Sequence, residues 1–151
     1  MSETGAAFVP RNPDYSAAVR AGFAEQPMMA TIGTVITAVT PGGVSIELPY
    51  RADLMQQYGF LHGGVVGVIA DSACGFAAYS LMPAGARVLT VEYKINFMAP
   101  AVGERFVATG QVIKAGRTLT VCQGEVVAYL EGQPKTVALM QSTLMTVQAG
   151  G

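Results

Sequence analysis

The chain has 151 residues, 51% hydrophobic and 13% charged, with nine Lys plus Arg against ten Asp plus Glu and a net charge of -1. This length fits one domain, residues 1–151, that buries roughly 68–70% of the surface its unfolded form exposes. The charge balance excludes a broad electrostatic footprint for nucleic acid or an anionic membrane, while so few charged residues leave apolar surface for a second subunit to cover.

The first 32 residues read as an N-terminal helical extension. Asn12 followed by Pro13 resembles an N-cap and first helical position, which predicts about three turns of amphipathic helix carrying Ala17, Val19 and Phe23. A second short turn is expected near Pro27. The opening MSETGAAFVP lacks the basic start and apolar run of an export signal, so Cys74 and Cys122 are expected to be free thiols in a reducing, cytoplasmic compartment.

From Gly33 to Val39 and from Val44 to Leu48, β-branched residues alternate with polar ones around Pro41-Gly42-Gly43, the pattern of a hairpin. After an irregular stretch, the run from Gly64 to Met82 carries one charged side chain, Asp71. It is too long for a strand, too apolar for a surface helix, and too diluted by Gly, Ala and the carboxylate for a membrane span. It reads as a central helix buried on nearly all sides, ended by Pro83 and Gly85.

Four strands follow, at Arg87 to Met98, Glu104 to Ala115, Thr118 to Leu130 and Lys135 to Val147. In the first, Leu89, Val91, Tyr93, Ile95 and Phe97 alternate with Thr90, Glu92, Lys94 and Asn96, which predicts one core face and one other. Short connections favour antiparallel neighbours, giving an α+β fold in which a curved antiparallel sheet wraps one long helix.

Asp71 is the informative residue, because an unpaired carboxylate in an apolar helix loses hydration and needs a partner or a task. Helical spacing places Gly64, Gly67, Cys74, Gly75 and Ala78 near its stripe, leaving room for a ligand or a second chain. The plainer alternative is a carboxylate bonded to a neighbouring donor. His62-Gly63-Gly64 stands at the helix mouth, where first-turn amides lack intrahelical partners and can donate to an oxygen gaining negative charge. Equally, the glycines allow a tight entry into the helix, with His62 as a cap. Lys114 and Arg117, around Gly116, can hold a phosphate at the rim of a site or simply be solvated. His62 is the only histidine, and no metal-ligand spacing accompanies it.

The stretch QQYGFLHGGVVGVIADSACG, Gln56 to Gly75, resembles the signature of hotdog-fold acyl-CoA thioesterases of the phenylacetate-pathway and 4-hydroxybenzoyl-CoA type, with an acidic residue nine positions after the His. VLTVEYKINFMAPA and KAGRTLTVCQGEV resemble that family's next strand and hairpin, so the likeness runs from about Gly33 to Val147. The resemblance implies Asp71 as general base or nucleophile and the Gly63 amide as the group polarising the thioester carbonyl. It also implies Thr90 beside the attacking water, His62 shaping the loop, Gly64 at the substrate, and Arg117 with Lys114 near the phosphates of coenzyme A. The substrate is then a small acyl-CoA, with no further cofactor and no metal implied. An aromatic ring is one option for its acyl group, since Tyr58, Phe60 and Tyr79 can line a slot for it as readily as pack a core. The protein would be a homodimer or homotetramer whose active site lies between subunits, with no nucleic-acid or membrane partner. One position departs: six before His62, relatives usually carry Asn, and here it is Gln56.

A thiol is a good leaving group, so one carboxylate and one oxyanion donor suffice for thioester hydrolysis. The rival readings are a hotdog enoyl-CoA hydratase or dehydratase, which needs His and carboxylate together, and a non-catalytic acyl-CoA-binding protein.

Overall fold

The computed structural model describes residues 7–149, so the first six residues of the N-terminal extension lie outside the described residues. Helix α1 spans Tyr15–Glu25. It starts later than the Asn-Pro pair suggests, because Asn12 Oδ1 accepts from the Asp14 amide at 3.0 Å and forms a turn ahead of the helix. Helix α2, Pro27–Ile32, begins on the expected proline and ends on Gly33 in the left-handed conformation.

Strands β1 (Val35–Thr40) and β2 (Gly43–Pro49) form the expected hairpin. Helix α3 spans Gly63–Tyr79, a turn shorter at its C-terminus than the hydrophobic run. There Ser80 Oγ donates to Ala77 O at 2.6 Å and accepts from the Gly42 amide at 2.8 Å, tying the helix end to the hairpin turn. Strands β3 (Arg87–Phe97), β4 (Arg105–Ala115), β5 (Leu119–Leu130) and β6 (Gln133–Val147) complete the chain.

The six strands form one antiparallel sheet in the order β1-β2-β4-β5-β6-β3, curved around α3 in the hotdog arrangement. Its inner face buries Ile46, Leu48, Phe106, Val126 and Leu144 against Ile69, Ala73, Cys74 and Ala77 of the helix. Each large side chain so buried contributes about 1.5–3 kcal/mol. The sheet approaches the helix closely because Gly110 faces it: a Cβ there would lie 2.4 Å from the Ala73 carbonyl carbon. Among the described residues no helix is long and apolar enough to cross a membrane.

The exception to the expected pattern is β3. It is an edge strand, and Leu89, Val91, Tyr93 and Phe97, expected on a core face, are about half exposed. A bulge between Thr90 and Glu92 also breaks the alternation. Before the bulge Thr90 faces α3, and after it Tyr93 and Phe97 do, so residues predicted on opposite faces share one.

Candidate active site

Helix α3 is not buried all round. Gly64, Val68, Asp71, Ser72, Gly75 and Tyr79 form a stripe that the sheet leaves partly open. Gly67, Cys74 and Ala78, expected on the same stripe, are buried instead. Helical spacing fixes which residues neighbour one another, but the sheet decides which side is covered.

Strand β3 runs along this stripe, contacting one helical turn after another. The Phe97 ring lies 3.4 Å from where a Gly63 Cβ would sit, and the Tyr93 hydroxyl 3.7 Å from a Gly67 Cβ. One turn further, Thr90 Oγ1 donates to Asp71 Oδ1 at 2.8 Å. The small residues at 63 and 67 admit the two rings, and the bulge then brings a hydroxyl onto the carboxylate.

Asp71 is half-buried, and burial raises its pKa above the ordinary carboxylate value, with the Thr90 hydrogen bond pulling partly the other way. It opens onto a cavity of about 100 Å³ walled by Thr90, Ser72, Phe76, Val88 and Gln26. Gln26 comes from the junction of α1 and α2. Sequence reasoning missed it, because nothing in the local pattern around Pro27 indicates that the chain folds back onto α3.

At the helix mouth His62 is the N-cap, and its Nδ1 accepts from the Gly64 amide at 2.8 Å. The amides of Val65 and Val66 donate to His62 O at 2.9 and 3.1 Å. Among the described residues, the Gly63 amide is thus the first-turn donor left without a partner. Gly63 lines a second cavity, of about 400 Å³, together with Gln56, Phe60 and Phe97. Gln56 Oε1 accepts from the amides of Tyr58 and Phe60, so its side chain ties the loop ahead of the helix.

Within one chain the predicted residues therefore fall into two groups, Asp71 with Thr90 and Gly63 with Gln56. Eight residues of helix separate them, about 12 Å of rise, so the free amide does not reach the carboxylate of its own chain. Lys114 and Arg117 are exposed at the β4–β5 turn. Register places Thr120, Leu144 and Thr90 in one row across three strands, so this turn lies at the Asp71 end of the sheet. Two strand spacings, about 10 Å, separate its strand from Thr90. No group of three or more His, Cys, Asp or Glu able to hold a metal occurs among the described residues.

The curved sheet wrapped on a central helix, with a carboxylate on the helix's open stripe, defines a protein of the hotdog-fold class. The sequence model of the thioesterase superfamily matches residues 58–133, and the chain belongs to that family. A solved thioesterase family protein from Silicibacter pomeroyi is 49% identical with a TM-score of 0.88, covering 89% of this chain and 99% of that one. Human acyl-coenzyme A thioesterase 13 is 32% identical over 85 residues, 56% of this chain and 60% of its own, so the chain spans about three-fifths of that curated relative. The Escherichia coli PaaI protein, from the phenylacetic acid degradation operon, shares the fold with a TM-score of 0.81, at 21% identity and 92% and 97% coverage.

Proposed function

We propose that this protein hydrolyses the thioester of a small acyl-CoA, with Asp71 as general base or nucleophile and the Gly63 amide of a second chain as oxyanion donor. The observation that carries this reading is the Asp71 carboxylate, half-buried on an otherwise apolar helix, held at one oxygen by Thr90 and open to a cavity. In the general-base route, Asp71 takes a proton from water as the water oxygen adds to the carbonyl carbon. The carbonyl oxygen gains negative charge, which an amide at a helix N-terminus offsets. The carbon–sulfur bond then breaks, and the coenzyme A thiolate leaves with the proton Asp71 collected.

The separation of Gly63 from Asp71 along one helix, and the half-exposed apolar side chains of the β3 edge, support a homodimer or homotetramer whose site is completed across the interface. Arg117 and Lys114 at the Asp71 end are available to the phosphates of coenzyme A. Gln56 orders the loop before the Gly63 amide. His62 Nδ1 is engaged as the helix cap.

A panel of aryl- and alkyl-CoA thioesters, assayed for thiol release with the native protein and with Asp71→Asn, tests the reading. Release by the native protein, abolished in the variant, is expected. Equal release by both, or hydration of an enoyl-CoA without release, overturns it.

A further inference from the structure

We propose that Gln26 is a specificity-determining residue, whose side-chain amide hydrogen-bonds a polar group on the acyl chain and selects short β-hydroxyacyl thioesters over their apolar isosteres. This rests on the thioesterase reading above, which places the reacting carbonyl at Asp71, and it directs the acyl tail into the cavity beside that carboxylate.

The first argument is size. At about 100 Å³ the cavity is smaller than the roughly 150 Å³ space that accepts a benzene ring.

The second argument is chemistry. Phe76 and Val88 supply apolar wall, and Gln26 interrupts it with an amide. Gln26 Oε1 has almost no accessible surface and no hydrogen-bond partner among the described residues, so a rotation of the side-chain amide is what brings it to a donor in the cavity. A buried acceptor in that state costs free energy until a donor meets it, so the pocket favours an acyl group that brings one. A site built around such a group discriminates strongly against the analogue lacking it, because the polar atom is then left unpaired.

The third argument is position. The Gln26 backbone N–H donates to Phe23 O at 3.2 Å, and the Phe23 ring packs edge-on against Phe76 of the central helix with centroids 5.8 Å apart. The residue is thereby held against the wall of the cavity, although it belongs to the N-terminal extension.

The test compares 3-hydroxybutanoyl-CoA with 3-methylbutanoyl-CoA, which differ only in hydroxyl against methyl. The native protein is expected to prefer the hydroxylated ester in kcat/KM by tenfold or more, and Gln26→Leu to reduce that ratio at least tenfold. Gln26→Met, which keeps the chain length, is expected to do the same and guards against a folding defect peculiar to one substitution. A ratio unchanged in both variants, or equal losses on both esters, overturns the role of Gln26. If the wider acyl-CoA panel is hydrolysed with an unmoved ratio, only this inference falls. If no acyl-CoA is hydrolysed, the functional reading falls with it.

Discussion

Thr90 Oγ1 sits 2.8 Å from Asp71 Oδ1, a hydrogen bond between the edge strand and the central helix at the wall of the cavity, and it leaves the second carboxylate oxygen without a protein partner among the described residues. Burial raises the Asp71 pKa and this bond lowers it, so the two set where the carboxylate ionises. Removing the donor removes the lowering contribution. Thr90→Val is therefore expected to shift the acid limb of the kcat/KM profile to higher pH and to reduce activity roughly tenfold, about 1.4 kcal/mol. An acid limb that stays in place contradicts the coupling.

Asp71→Asn is expected to trade activity for stability. Loss of the base lowers kcat by roughly 10²–10⁴-fold, while Asn keeps an acceptor for Thr90. Because the folded-state pKa lies above the unfolded one, the native protein holds its proton more tightly, and stability falls as pH rises through the window between the two values. The variant lacks that penalty. Its Tm should exceed that of the native protein at pH 8, with the difference shrinking as pH falls toward the ordinary carboxylate range; a lower Tm at pH 8 argues against the assignment.

Gly110 lets β4 lie directly on α3. A Cβ at 2.4 Å from Ala73 backbone atoms has no flexible neighbour to displace, so Gly110→Ala should cost about 3 kcal/mol or more in urea denaturation. A loss below about 1 kcal/mol means that sheet and helix separate more readily than this packing allows.

Both cysteines are fully buried, and Cys122 Sγ donates to Cys74 O at 3.5 Å. Burial pushes the Cys74 thiol up to about 11 and raises the Cys122 thiol as well. Neither is then a thiolate at pH 8, and a chromogenic disulfide reagent should label them only after denaturation. Rapid labelling of the native protein would show that the helix–sheet interface opens.

Most elements were legible because their periodicity and turn residues agree: the Pro41-Gly42-Gly43 hairpin, the apolar run of the central helix and the four later strands. The site was legible only in part. The bulge at Val91 has no glycine to mark it, so Thr90 read as lying opposite Tyr93 and Phe97, although all three face α3. Periodicity alone likewise gave no sign that β3 is an edge strand, since that follows from its long-range pairing with β6. Gln26 was invisible for a related reason: it reaches the cavity through the packing of Phe23 on Phe76, a tertiary contact that local sequence does not encode.

The central claim is that the carboxylate of one chain works with the helix mouth of another, and subunit mixing tests it most directly. Gly63→Pro deletes the amide donor at the first helical position, where proline is well tolerated, and His62 at φ -57° and ψ 132° already has the backbone that a residue before proline adopts. Asp71→Asn and Gly63→Pro should each be nearly inactive alone. Co-assembled, they give mixed dimers with one intact site, and random mixing should restore about a quarter of native activity. A mixture as inactive as its parents would place the whole reaction within single chains and contradict the account.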